Sequence, residues 1–218
     1  MRGSRMRGST RDDARPRRIA LPVLVAGAAS SLLLAFSMTP TFSALTAAIT
    51  NTVDTAGMGS LGMQETNSDG SVSCATTGSS TSASCSTINK YGGSMVMKAG
   101  DTVSTTVKVI NIGTIPATSF TMKAGACSQS PVSGATITGT ASDACGKYIV
   151  KVTANGTQVY NGTATAFAAA TATDLLANAT VTPNGVTTLV FSVTLDPTAG
   201  ATYQGLMISQ PITFTYGA

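Results

Sequence analysis

The side chains whose spacing could specify chemistry are four cysteines, Cys74, Cys85, Cys127 and Cys145. Four thiols can hold a zinc ion or form two disulfides. Zinc is disfavoured because no pair has the close CxxC spacing and the chain contains no histidine to complete a ligand set. Disulfides allow three pairings, of which the neighbours, Cys74–Cys85 and Cys127–Cys145, are favoured. The stretch between the first two, ATTGSSTSAS, carries nothing that could anchor it in a core. Closing a loop of that size stabilises by roughly 3 kcal/mol in the chain-entropy treatment.

The lack of histidine also removes Ser-His-Asp triads, Cys-His pairs and HExxH sites. A Ser-Lys dyad has no supporting context, and solvated surface lysines account for the six present. From residue 42 onward the acids (Asp54, Glu65, Asp69, Asp101, Asp143, Asp174 and Asp196) are isolated in sequence. They suit neither a paired-carboxylate glycosidase, which also wants aromatic platforms in a chain without tryptophan, nor a clustered-oxygen calcium site. Asp69 and Asp101 read as turn residues. No catalytic, cofactor-binding or metal site is therefore expected, and the chain reads as a protein that is not an enzyme.

The compartment decides whether the cysteines are oxidised. Seven arginines (Arg2, Arg5, Arg7, Arg11, Arg15, Arg17 and Arg18) precede an apolar run at residues 19–36. That is the layout of an export signal, a charged region followed by a hydrophobic one. At this length the run could also remain as a hydrophobic N-terminal anchor helix, the only membrane contact expected. Small residues allow cleavage after Ser37, Thr41 or Ser43; the preferred bond is Thr41–Phe42. The expected organisation is an export signal at 1–41, a mature N-terminal strand at 42–56 and one folded domain at 57–218. From residue 42 onward six lysines face seven acids, a net charge of −1, so the basic pI of about 9.0 belongs to the signal. Nucleic-acid binding, which needs a basic face on the folded product, is not expected. An exported, secreted or cell-surface location with disulfide-bonded cysteines follows.

The elements that would carry these features are strands. The chain has 36 Thr and 24 Ser, with many Ala and Gly and few charges. Asp69-Gly70 separates two strands, 61–67 and 71–75, as a hairpin. At 102–112, Val103, Val107 and Val109 alternate with Ser104, Thr106 and Lys108, the period of a half-buried strand. Further strands are expected at 119–123 (Phe120 and Met122 inward), 147–154 (Tyr148, Val150 and Val152 inward) and 157–161 after an Asn155-Gly156 turn. The series closes with 186–195 and 210–216, where Leu189, Phe191, Val193 and Leu195, then Ile212, Phe214 and Tyr216, face inward. Pro211 lacks an N–H and marks an edge or bulge. Met95 and Met97, flanking Val96, are expected on a strand as core. One short helix is expected near Phe167 or Leu175-Leu176. The fold class is all-β, a single antiparallel β-sandwich of jelly-roll-like or immunoglobulin-like topology. Asn155, Asn161 and Asn178 open N-x-[ST] triplets, expected by chance in so threonine-rich a chain.

Three segments carry a resemblance. Residues 41–64, TFSALTAAITNTVDTAGMGSLGMQ, follow the apolar run with a Phe-Ser start and an Ala-Gly-x-x-x-Leu element. Residues 99–120, AGDTVSTTVKVINIGTIPATSF, hold a Gly-Asp-led strand with an Asn-x-Gly end, with Ala99 where proline is usual. Thr202-Tyr203-Gln204-Gly205 precedes the closing strand. In this order they resemble the TasA/camelysin family of exported Gram-positive proteins, and the four cysteines and low charge look like an actinobacterial branch. The resemblance implies a jelly-roll-like sandwich, processing by a dedicated signal peptidase, and self-association into biofilm-matrix filaments. There the N-terminal strand of one subunit completes the sheet of the next. The strand would be carried by Phe42, Leu45, Ile49 and Val53, unless this segment pairs with its own sheet. The peptidase activity that the camelysin name implies finds no supporting residues.

The expected function is thus an exported structural protein of the cell surface or matrix, a fibre subunit assembling by β-strand donation. The alternatives are a monomeric secreted surface- or glycan-binding module and, behind it, a camelysin-like secreted peptidase.

Overall fold

Alternation of small β-branched and apolar residues builds the centre of the fold. Strands β3 (Thr102–Asn111) and β9 (Val186–Leu195) pair antiparallel over nearly their full lengths, from Thr102↔Thr194 to Ile110↔Val186. Val107 and Val109 on one strand, and Leu189, Phe191, Val193 and Leu195 on the other, are buried. The opposite face of the ladder is lined by hydroxyls, with Thr102 bonded to Thr194 and Ser104 to Ser192 across the strands.

This computed structural model describes residues 56–78, 82–177 and 179–218. The expected signal, the Thr41–Phe42 bond, the assembly-strand residues Phe42, Leu45, Ile49 and Val53, and Asn178 lie outside the described residues.

Around the central pair the chain adds β1 (Met63–Asn67), β2 (Ser73–Ala75), β6 (Tyr148–Ala154) and β7 (Thr157–Thr163), giving a six-stranded sheet in the order β2-β1-β3-β9-β6-β7. The β1–β2 hairpin turns where expected, with Gly70 at φ 79° and the Asp69 carboxylate accepting from the Ser71 N–H and hydroxyl. The β6–β7 turn uses Asn155 and Gly156 at φ 49° and 86°, the left-handed pair that a tight hairpin requires. A second, narrower layer is formed by β4 (Ser119–Ala124), β8 (Thr173–Asp174) and β11 (Ile212–Gly217), in the order β11-β4-β8. Its continuation is the pair β5 (Ser128–Pro131) with β10 (Leu206–Ser209). Gly125 and Pro211 mark the bend between the two pairs, where the Gly125 N–H donates to the Pro211 carbonyl at 2.8 Å.

The structure is thus mostly β, with antiparallel sheets. Phe120 and Met122 of the narrow layer share one core with Val107, Val150, Val152, Leu189 and Phe191 of the wide one. A short helix, α1 (Ala164–Ala169), the one α-helix among the described residues, closes one end of the core with Ala164 and Phe167. It starts where the Thr163 hydroxyl accepts from the Ala166 N–H, an N-cap. Leu175 and Leu176 lie outside any helix. Residues 57–218 form one unit that contains this core, both disulfides and all eleven strands of the described residues.

Those disulfides are Cys74–Cys85 and Cys127–Cys145, with Cα separations of 5.6 and 6.1 Å. They point to an oxidising, extracellular environment. Among the described residues no helix is long and apolar enough to cross a membrane.

One expectation fails in the fold. Met95, Val96 and Met97 are not on a strand, and Met95 and Val96 are 51% and 82% exposed. Gly92 and Gly93, both at positive φ, form a turn just before them, and no strand of the described residues pairs with this stretch.

Asn111, fully buried at the end of β3, joins two loops to the wide sheet. Its amide donates to the carbonyls of Ile115 and Val181, and its side-chain oxygen accepts from the Gly113 N–H, all at 2.9 Å. Gly113 itself admits no side chain, since a Cβ there would sit 2.3 Å from the Ser60 carbonyl. Asn111→Asp would aim an acceptor-only carboxylate at two carbonyl oxygens. It is expected to destabilise the 57–218 domain by about 3 kcal/mol or more in urea unfolding at pH 7. Because the buried acid's pKa would be raised, part of that stability should return as the pH falls towards 4.

Candidate functional site

The described residues enclose an open groove of about 1240 Å³. One wall is the continuous run through β10 and β11; the other is β1 with the preceding Leu61 and Gly62. The groove exists because β10–β11 is the last strand of the narrow layer. β4 and β5 occupy one side of it, and no strand of the described residues occupies the other.

The register shows which backbone groups this leaves free. Gly125 donates to Pro211 and Val132 to Gly205, so the odd-numbered residues of β10 and β11 face β5 and β4. Leu206, Ile208, Ile212, Phe214 and Tyr216 therefore direct their N–H and C=O groups towards the open side, and no backbone partner among the described residues meets them there. The same residues turn their side chains inward. Ile208, Ile212, Phe214 and Tyr216 pack against the core but remain only partly buried. An edge of this kind is a template for an extended chain, and the usual safeguards are few. β11, ITFTYG, carries no charge, and Pro211 guards only its start. The other long edge, β7, is blunted by a register shift at Val152/Thr153 on its partner and by α1 immediately after it.

A short segment crosses the groove between its walls. Ile88 inserts into the core. Lys90 pairs with Glu65 of β1 at 2.6 Å, both side chains being about nine-tenths buried, and its ammonium lies 5.5 Å from the centre of the Phe214 ring. The Tyr91 hydroxyl donates to the Gln210 side-chain oxygen, whose amide donates in turn to the carbonyls of Gly125 and Ala164. Gln210 thus fastens the bend between β10 and β11 to three parts of the chain. Burial raises the pKa of the Tyr91 hydroxyl far above its ordinary value and that of Tyr216 to about 12, so both remain neutral donors through the physiological range.

The Thr202-Tyr203-Gln204-Gly205 motif has a structural use beside the groove. Thr202, Gln204 and Gly205 accept backbone bonds from Ala141, Gly139 and Val132. Gly205, at φ 63°, comes so close to Ile137 that a Cβ would lie 2.1 Å from its carbonyl oxygen. The Tyr203 hydroxyl donates to Asp143 at 2.7 Å, and that bond raises its pKa.

The four cysteines flank these features without meeting at one centre. Cys74–Cys85 anchors the crossing segment just before Ile88, and Cys127–Cys145 pins the β4–β5 bend. Among the described residues no group of three His, Cys, Asp or Glu side chains could hold a metal ion. Glu65, Lys90, Tyr91 and Gln210 were not legible as a group, because isolated polar residues dispersed from 65 to 210 carry no common motif. The sequence signals that touched the site were Pro211, which marked the edge, and the alternation of Ile212, Phe214 and Tyr216 on the strand after it. The sequence matches no protein-family model and no curated protein.

Two predictions follow from this geometry. Lys90→Met leaves the Glu65 carboxylate buried without its partner and should cost about 3–5 kcal/mol in urea unfolding, with Lys90→Met/Glu65→Leu recovering most of the loss. Since the folded state raises the Tyr91 and Tyr216 pKa values, their contribution is intact below pH 10 and is lost as pH rises through the folded values. Phenolate absorbance should lag behind that of free tyrosine and then rise together with loss of β-sheet circular dichroism.

Proposed function

We propose that this chain is an exported structural subunit of the cell surface or extracellular matrix that assembles into fibres by β-strand addition. The observation that carries this reading is the β10–β11 edge, unpaired among the described residues, beside an open groove. An incoming strand would satisfy the N–H and C=O groups of five residues and cover Ile212, Phe214 and Tyr216. Residues 42–54, FSALTAAITNTVD, are the candidate strand: in an extended chain Leu45, Ile49 and Val53 fall on one face and Phe42 on the other, and no side-chain charge precedes Asp54. Within the groove the buried charges of Glu65 and Lys90 offset each other. Donation from one copy to the next is a head-to-tail contact, which propagates into open filaments.

The shared core of a wide and a narrow layer supports a β-sandwich of jelly-roll-like form, and membership of the TasA/camelysin family is part of the same proposal. On this reading residues 1–41 are the export signal, removed by a signal peptidase at Thr41–Phe42, and the protein is not an enzyme.

Forms beginning at residue 42 and at residue 57 separate the possibilities. Sedimentation and negative-stain microscopy over a range of concentrations should show filaments from the longer form alone, the shorter one staying a folded monomer. If the longer form also stays monomeric, strand addition by this chain fails, and a monomeric surface-binding module becomes the better account.

A further inference from the structure

We infer that Asn51 sets the register of the incoming strand, its side-chain amide bonding the Glu65–Lys90 pair of the copy that receives it. This rests on the strand-addition reading and names the side chains that decide where the strand stops. In an extended chain Leu45, Ala47, Ile49, Asn51 and Val53 share one face, and Asn51 is its one polar member. Asparagine is a poor strand former, and its amide loses water when covered. On an otherwise apolar face it therefore needs a partner in the groove.

The groove offers that partner beside Phe214. Lys90 and Glu65 line it and keep 10% and 9% of their side-chain exposure, so the pair is nearly dry but not sealed. An ammonium has three donors, and Lys90 directs it at Glu65, 2.6 Å away, and at the Phe214 ring, 5.5 Å from its centre. A carboxylate likewise accepts more bonds than one ammonium supplies. The pair thus presents spare donors and spare acceptors side by side, with no net charge. A charged visitor would find its counter-charge already committed. A primary amide fits, since its oxygen accepts from Lys90 while its NH₂ donates to Glu65. The spacing agrees. In a strand running parallel to β11 with Asn51 level with Phe214, Val53 falls beside Tyr216, Ile49 beside Ile212 and Leu45 beside Ile208. Ala47, the smallest of the row, falls beside Gln210, where Tyr91 crosses. A slip of one residue would turn the whole row outward, and a slip of two would set Ile49 or Val53 against the charges. Fixing a register is the best-attested use of a buried polar contact.

The test uses the 57–218 domain, which contains the whole core and both disulfides, and fluorescently labelled peptides of residues 42–56 followed by anisotropy. On the unaltered domain, Asn51→Leu should bind about tenfold more weakly than the unaltered peptide. Ala48→Asn/Asn51→Ala, which keeps the composition but moves the amide to the other face, should lose as much. These two comparisons need no change to the domain. On the Lys90→Met/Glu65→Leu domain the order should reverse, Asn51→Leu becoming the tighter ligand, because the amide then meets an apolar surface. Equal affinity of Asn51→Leu and the unaltered peptide for the unaltered domain would overturn the inference and leave strand addition standing. A tenfold loss that persists on the Lys90→Met/Glu65→Leu domain would overturn it too, by showing that the amide acts elsewhere. If the unaltered domain binds none of the peptides, strand addition itself is refuted, and this inference with it.

Discussion

The dominant constraint in this molecule is a mismatch of widths. Six hydrogen-bonded strands form one layer, while the layer that shares its core is three strands across. A narrow sheet cannot cover a wide one, so one side of the core must be closed by something other than a strand. At one end α1 supplies Phe167. Along the β10–β11 edge the segment carrying Ile88, Lys90 and Tyr91 bridges the layers instead. Among the described residues it leaves the backbone of the edge without a partner, because it contributes side chains and no backbone hydrogen bond to β11.

The composition explains why such a bridge needs polar fastening. Apart from a few large side chains the chain is made of Thr, Ser, Ala and Gly, which bury little apolar area each. The crossing segment inserts one isoleucine, and the rest of its hold comes from the Glu65–Lys90 pair, the Tyr91–Gln210 bond and the Cys74–Cys85 link. The same economy appears at Asn111, where three hydrogen bonds from one buried amide hold loops that offer little hydrophobic surface. Directional bonds and covalent links do here what larger cores achieve by burial.

The proposed assembly by strand addition would draw on the same deficit. A domain with fully matched layers would have a protected edge and nothing to gain from a visiting strand. Here the visitor would contribute what the fold lacks: backbone partners for one edge and apolar cover for Ile212, Phe214 and Tyr216. Strength and specificity would then come from different groups, the ladder being indifferent to sequence and the groove side chains not.

The sequence by itself determined the strands whose two faces differ. Alternation placed Val107, Val109, Leu189, Phe191 and Val193 in the core, and Asn155-Gly156 and Asp69-Gly70 set the β6–β7 and β1–β2 turns, because these signals are local and each needs only a few neighbouring residues. Short strands without alternation, β5, β8 and β10, were not legible, since they exist only by pairing with β10, β4 and β5 respectively. The stretch around Met95 looked like a strand and is none, because a strand needs a partner and the fold provides none there. The edge was hinted at by Pro211. Which strand lay beyond it and that Glu65 would meet Lys90 across 25 positions were decided by tertiary structure alone. Burial and pairing are properties of distant residues brought together, and no local pattern encodes them.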